Sequence, residues 1–275
     1  MSSDPLVPES LRFDGPWTVF PALLMAFDLD DTLAPSKSPL PTPMAALLVR
    51  LLQRCEVCII SGGRFEQFQT QILGRLDAPT DLLGRLHLMP TCGTQYVRWQ
   101  NGGWIAVYSE DLSTEQKDNI RRVLEAGARS LGLWEHRTWG PVLEDRGSQL
   151  TFSALGQSAP VAAKSAWDPG GVKRSKLREY VAARLPELSV QSGGSTSIDV
   201  TRLGVDKAYG MRKLMTYTGY PAADIMFVGD RLDPGGNDHP VLATGVRCVE
   251  VSGWEQTVQL LQRVVELPSP AAPPA

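Results

Sequence analysis

Short unbroken apolar runs alternate with amphipathic stretches over the first third of the chain. Residues 23–27 are apolar throughout and run into the acidic cluster Asp28-Leu29-Asp30-Asp31-Thr32. An apolar run of that length, bounded by polar residues, reads as a strand covered on both faces. Thr42-Pro43 then opens a helix over 44–54, with Thr42 as N-cap and Pro43 at the first helical position. Residues 57–60 repeat the buried-strand pattern and end at Ser61-Gly62-Gly63. A polar–apolar helix follows over 65–76, and 86–89 make a third strand. Strand, helix and strand in this rhythm predict a parallel sheet wrapped by helices. In such sheets ligands bind at the carboxyl ends of the strands, where both the acidic cluster and Ser61 fall.

The pattern changes in the middle of the chain. Ser113-Thr114-Glu115-Gln116 has the capping-box signature and predicts a helix to about Ser130. Residues 142–145 and 149–154 read as two strands around an Arg146-Gly147-Ser148 turn, with Gln149, Thr151 and Ser153 on one face and Leu150, Phe152 and Ala154 on the other. A helix over 175–185 and strands over 188–191 and 196–200 complete an antiparallel sheet with helices on one side. Parallel rhythm then returns, with a helix from Asp206 to about Tyr217 and a strand over 225–228. The fold expected is an α/β core interrupted by an inserted α+β cap. The core takes residues 1–108 and 196–266, the cap 109–195, and a Pro/Ala-rich unstructured tail 267–275.

Composition narrows the function classes. A chain of 275 residues, 43% hydrophobic and 21% charged, is ordinary globular material for two domains. A formal net charge of −3 supplies no field that would gather nucleic acid or an anionic membrane, so an anionic substrate must be held by local cations. Four cysteines make no disulfide framework, and the Cys55-x-x-Cys58 pair sits in an apolar run that reads as buried strand rather than metal site. The start, Met1-Ser2-Ser3-Asp4-Pro5, lacks the basic and apolar regions of a secretion signal, and no early apolar stretch spans a bilayer, so a cytoplasmic setting is the expectation.

The chemistry concentrates at strand ends. Asp28 and Asp30 alternate onto one side, and two carboxylates held that close call for a cation between them. Magnesium, a hard ion that takes oxygen ligands, suits the pair. One carboxylate can then attack phosphorus while the other moves protons. The strand ending at Gly229-Asp230 delivers a further metal oxygen and continues into Pro234-Gly235-Gly236-Asn237-Asp238-His239. Ser61, before Gly62-Gly63 and a helix, offers a hydroxyl and amides to a phosphate, and Lys207 enters a helix where it can place a cation on the same group. Each element alone has a plainer reading, an acidic turn or a solvated surface residue; their order carries the signal. His87 and His136 read as structural or surface residues, and His239 as support for the acidic loop.

That order resembles the haloacid dehalogenase-like superfamily. Asp28-x-Asp30-x-Thr32 matches its first motif, Ser61 its second, Lys207 its third, and Gly229-Asp230 with Asn237-Asp238 its fourth. The resemblance implies a Rossmann-like core, an aspartyl-phosphate on Asp28, and Asp30 as general acid/base. It also implies magnesium held by Asp28, the backbone carbonyl of Asp30, and Asp230. The insertion between the second and third motifs matches the α+β-capped subgroup. Glu144 to Thr151, Gly193 to Val200 and the Pro-Gly-Gly-Asn-Asp-His run look like the eukaryotic-type phosphomannomutase family. In that family Ser and Asp at the positions of Ser197 and Asp199 bind the sugar phosphate, and arginines clamp the distal phosphate. Arg146 keeps one of these arginines; Gln157 stands at a second, Lys164 near a third, and Lys37 replaces another.

A lysine is a point charge and a glutamine carries none, so bidentate recognition is weakened. A mutase must hold a bisphosphorylated intermediate, whereas a phosphatase needs only to admit water. The expected function is therefore magnesium-dependent hydrolysis of a sugar phosphate. The alternatives are a phosphomannomutase interconverting hexose 6-phosphate and hexose 1-phosphate, and a silent binding module that keeps the fold. Gly62 joins Lys37, Arg146, Lys164, Ser197 and Asp199 as substrate-binding residues. A homodimer through the cap is compatible with the resemblance but is not specified by the residues.

Overall fold

The computed structural model describes Thr18, Phe20 and residues 22–268. The stretch from Met1 to Pro5 and residues 269–275 of the tail lie outside the described residues. Leu267 and Pro268 are held: Arg54 donates to the Leu267 carbonyl, and the Phe20 N–H donates to that of Pro268 at 2.8 Å. These two residues, which the Pro/Ala-rich composition gave to an unstructured tail, are therefore tied to the rest of the chain.

The chain divides into two compact units, one running to Tyr108 and resuming at Asp206, the other Ser109–Val205. The first unit opens with strand β1 (Leu24–Phe27), helix α1 (Thr42–Leu52), strand β2 (Glu56–Ile60), the short helices α2 (Phe65–Phe68) and α3 (Thr80–Leu83), and strands β3 (Leu86–Met89), β4 (Gln95–Gln100) and β5 (Gly103–Ser109). The second contains α4 (Thr114–Ser130), β6 (Leu143–Asp145), β7 (Gln149–Ser153), α5 (Val161–Trp167), α6 (Val172–Ala182), β8 (Leu188–Ser192) and β9 (Ser197–Arg202). The first unit then resumes with α7 (Lys207–Thr218), β10 (Ile225–Gly229), β11 (Arg247–Glu250) and α8 (Trp254–Val264).

In the first unit seven strands lie in the order β11-β10-β1-β2-β3-β4-β5. The five from β11 to β3 are parallel, and β4 runs antiparallel to β3. All four residues of β1 are buried because the sheet is covered on both faces. Alternation sends Met25 and Phe27 into one core with Leu48 of α1 and Leu260 of α8. Leu24 and Ala26 enter a second core with Met211 and Leu214 of α7. The chain leaves β1 for β2 on one side and returns as β10 on the other, which makes the carboxyl end of β1 a switch point in strand order.

The second unit is a four-stranded antiparallel sheet, β6-β7-β9-β8. Its core joins Ile120 and Leu124 of α4, Leu177 and Val181 of α6, Phe152 of β7 and Ile198 of β9. The capping box forms as expected, Ser113 Oγ accepting from the Gln116 N–H at 3.1 Å and Gln116 Oε1 accepting from the Ser113 N–H at 2.9 Å.

Several expectations need correction. β9 pairs along its length with β7 and β8, so the return to the first unit falls after Val205, not after residue 195. Pro41, with extended backbone, is the N-cap of α1, which makes Thr42 its first residue. The helix expected over 65–76 is one α-helical turn followed by a π-helical turn, Gln69–Leu73. The helix expected over 175–185 is α6, three residues earlier at both ends. Gln149, Thr151 and Ser153 form a polar face on β7, yet all are buried.

Candidate active site

Three carboxylates and one ammonium meet beyond the ends of β1 and β10. The Asp28 N–H continues the ladder, donating to the Val228 carbonyl at 3.0 Å, which fixes Asp28 at the sheet edge with its side chain buried. Past it the chain folds back, with the Leu33 N–H donating to the Leu29 carbonyl. This return puts Thr32 Oγ1 3.5 Å from Asp28 Oδ2 and 3.2 Å from Asp230 Oδ1. Asp206 caps α7 by accepting from the Tyr209 N–H at 2.7 Å, so the helix begins at Lys207. The Lys207 ammonium is buried, 2.5 Å from Asp28 Oδ1 and 2.5 Å from Asp238 Oδ1. The other oxygen of Asp238 accepts from the Arg231 N–H at 3.1 Å, closing the loop after β10. Gly229 is required there, since a Cβ on it would lie 2.5 Å from Asp238 Oδ2.

Carboxylate oxygens of Asp28, Asp230 and Asp238 all lie within 4.8 Å of one another. Burial alone would lower Lys207, but the charges of Asp28 and Asp238 outweigh it and hold the ammonium above its usual range. Burial pushes Asp28 well above the usual carboxylate range; Lys207 opposes this, while Asp238 and Asp230 add to it. Asp230 is likewise raised by burial and by Asp238. Three acids against one cation leave the cluster short of positive charge, and its donors are all hard oxygens. This fits a divalent cation of the magnesium class.

Asp30 is placed differently from the other acids. Its Oδ1 accepts from the Lys37 N–H at 2.7 Å and from Gln71 Nε2 at 3.2 Å, and its Oδ2 from Gln67 Nε2 at 3.0 Å. Its carboxylate is not one of the three gathered around Lys207; Asp238 is. Lys37 sits in left-handed backbone with an exposed side chain, and its contact with Asp30 is through the main-chain N–H. Ser61 is buried after β2, its Oγ accepting from the Gly63 N–H at 3.1 Å, and Gly62 is half-buried beside it.

In the second unit Ser197 and Asp199 lie two apart on β9, both half-buried. A Cβ on Gly193 would come within 2.8 Å of Ser197 Oγ and 2.7 Å of Asp199 Oδ2. Thr151 Oγ1 donates to Asp199 Oδ1 at 2.7 Å. Arg146 donates through Nε and Nη2 to the single oxygen Oε2 of Glu144, at 2.9 and 2.7 Å. Lys164 Nζ donates to the Gln157 carbonyl at 2.9 Å, so the two substituted clamp positions touch each other.

The remaining candidates are structural. His87 is fully buried between Tyr96 and Glu56, and His239 Nδ1 lies 2.9 Å from the Leu232 carbonyl, bracing the acidic loop. Cys55 and Cys58 are buried free thiols, and burial pushes Cys55 up to about 12. The sequence reading left the part of Asp238 open and gave Gln67 and Gln71 none. The two glutamines stand four apart directly after Ser61-Gly62-Gly63, a spacing that sets both on one helix face.

A family model described as eukaryotic phosphomannomutase matches residues 131–267. Phosphomannomutase 1 of Mus musculus is 26% identical over 230 residues, covering 80% of this chain and 83% of the mouse protein. The phosphomannomutase of Saccharomyces cerevisiae is 23% identical over 261 residues, 90% of this chain and 96% of the yeast protein. Among solved structures, an IMP-nucleotidase of Plasmodium falciparum superposes with a TM-score of 0.65 at 15% identity, covering 89% of this chain and 66% of that one. A haloacid dehalogenase-like hydrolase of Bacteroides thetaiotaomicron gives 0.60 at 14% identity, covering 88% and 99%. At that identity the structures speak for the fold alone, and among the described residues no helix is long and apolar enough to cross a membrane. With the fold, the ordered motifs and these relatives in agreement, the chain is phosphomannomutase-like in sequence, similar in fold to haloacid dehalogenase-like hydrolases, and an enzyme of the phosphatase or phosphotransferase class.

Proposed function

We propose that the chain hydrolyses a sugar phosphate in two steps through a phosphoryl group carried on Asp28. In the first step a carboxylate oxygen of Asp28 bonds to phosphorus and the ester P–O bond breaks. The departing sugar oxygen takes a proton from Asp30. In the second, Asp30 takes a proton from water, whose oxygen displaces phosphate from Asp28. Oδ1 of Asp30 already accepts two N–H groups and Oδ2 accepts one, so Oδ2 is the atom with room for the proton. Lys207 remains an ammonium throughout and keeps Asp28 oriented. The Ser61 hydroxyl and the amides of the turn after β2 bind the phosphoryl oxygens. Magnesium held by Asp28, Asp230 and Asp238, with the backbone carbonyl of Asp30 that the family resemblance implies, would offset the negative charge and polarise the phosphoryl group. Ser197, Asp199, Arg146 and Lys164 of the second unit are the substrate-binding residues that the family resemblance implies.

One observation carries hydrolysis over isomerisation. The arginine that matches the distal-phosphate clamp donates twice to Glu144, and the residue at a second clamp position is the neutral Gln157. Both reduce the net positive charge available to retain a bisphosphate. Isomerisation stands as the second reading because the curated relatives are named phosphomannomutases. The test is a product ratio from a hexose 1-phosphate with a trace of hexose 1,6-bisphosphate. Release of inorganic phosphate faster than formation of hexose 6-phosphate is expected; the reverse order gives the mutase reading the place of the phosphatase one.

A further inference from the structure

We infer that Gln67 and Gln71 are positioning residues for Asp30, an inference that rests on the acid/base part proposed for Asp30 above. Asp30 stands in a loop that turns sharply: Asp31 is left-handed at φ 64°, and Asp30 bridges to Ala34. The carboxylate on this loop is half-buried, so the groups that hydrogen-bond it bear on its rotamer. It has three such partners, and two of them are carboxamides from one helical segment.

The anchoring of each glutamine supports this. Gln67 lies over Gly63, where an added Cβ would be 2.2 Å from Gln67 Oε1. The glutamine thus occupies space that any larger residue at 63 would take from it. Gln71 sits in the π-helical turn, a geometry found often at functional sites. Its Nε2 donates to Asp30 and to the Ser38 carbonyl at 2.7 Å, and its main-chain carbonyl accepts from the Leu40 N–H at 2.8 Å. One segment therefore ties the loop carrying Asp30 to the turn that follows Ser61.

Stability alone is a poor account of Gln71. The residue is 3% exposed, and its Oε1 is buried with no hydrogen-bond partner among the described residues. A buried acceptor left unmatched costs free energy that an apolar side chain of the same shape avoids. Orientation of Asp30 gives the carboxamide a purpose.

The experiment uses Gln67→Met and Gln71→Met, which keep shape and remove the donors, with Asp30→Asn as reference. Each is assayed in the full chain with magnesium on a hexose phosphate, whose alkoxide needs a proton to leave, and on 4-nitrophenyl phosphate, whose phenolate does not. The quantity compared is kcat/KM, which reports steps up to phosphoryl transfer onto Asp28. Misplacing a catalytic group is expected to lower the hexose phosphate value by about 10- to 100-fold while the nitrophenyl ester changes little. In the Asp30→Asn background the same glutamine changes should add nothing further. Equal losses on both esters, or additive losses in that background, would mean a structural part only and overturn the inference. If Asp30→Asn separates the two esters and neither glutamine variant does, the inference falls while the acid/base reading stands. If Asp30→Asn lowers both esters alike, or the unmodified chain cleaves neither, the acid/base reading itself falls and takes this inference with it.

Discussion

Lys207 spends its single charge on two carboxylates, and this sets how the site responds to mutation. Lys207→Met leaves Asp28 and Asp238 buried without their cation, and breaking a buried pair in this way costs about 3–5 kcal/mol. Urea unfolding without divalent metal should show that loss, and added magnesium should narrow it; a variant as stable as the parent in metal-free buffer would refute the charge accounting. Asp28→Asn has the opposite character. It removes one of three crowded negative charges and is nearly isosteric, so the fold should survive by circular dichroism while turnover disappears, because a carboxamide does not attack phosphorus. Near-normal turnover in the folded, magnesium-saturated variant would remove Asp28 as the nucleophile. At this scale the sequence was legible wherever an acid ends a buried apolar run, as Asp28 and Asp230 do. Asp238 was not, because a Gly- and Pro-rich loop carries no periodicity to say which of its polar residues turns inward. The Arg231 main-chain contacts with Asp238 and the Lys207 ammonium decide that.

Among elements, α6 shows how an acid outside a helix can begin it. Asp168 accepts from the Lys173 and Arg174 N–H groups at 3.1 and 3.0 Å and from Arg174 Nε at 3.1 Å. Burial would raise its pKa, but those donors outweigh it and hold the carboxyl below the usual 3.8. A depressed acid contributes stability that is fully present above its unfolded value and is lost as pH falls through the folded one. Asp168→Ala should thus cost about 1–2 kcal/mol near neutrality, with the difference from the parent shrinking on acidification below about pH 4. A deficit that stays constant down to pH 2 would contradict this assignment. Elements with a strong local signal were legible: β3 is observed as expected, and α4 starts at its capping box. The β4–β5 pair was missed because Gln95–Gln100 mixes polar and apolar residues, while the apolar run inside Gly103–Ser109 forms a strand that is largely exposed rather than a buried one. Its turn, Asn101-Gly102, did carry a hairpin signature, and both residues have positive φ, 52° and 80°. The second boundary was misplaced for a different reason. A strand such as β9 announces its pattern but not its partners, and pairing with β7 and β8 is a long-range fact.

For the whole molecule, a net charge of −3 means that binding of a phosphorylated substrate depends on local cations, and one of them, Arg146, has a competitor already in place. Glu144 is that competitor for Arg146, its carboxylate receiving two N–H groups with both side chains mostly buried. Glu144→Gln removes the negative charge while keeping the shape, so more of the guanidinium's field becomes available to a distal phosphate. The KM for a hexose bisphosphate should fall by about tenfold, equivalent to about 1.4 kcal/mol of added binding. The KM for 4-nitrophenyl phosphate, which has no second anionic group, should stay where it is. Arg146→Ala should raise the bisphosphate KM, and combining it with Glu144→Gln should cancel the gain, since the glutamine acts only through the arginine. Slower release of the bisphosphate also gives it time to reorient, so Glu144→Gln should shift products from inorganic phosphate towards isomerised sugar phosphate. Gln157→Arg, which adds a second fork, should move the ratio the same way. A Glu144→Gln variant whose bisphosphate KM and product ratio both match the parent would show that the Arg146–Glu144 pair only holds β6 to its turn, and the argument for hydrolysis from a weakened clamp would go with it.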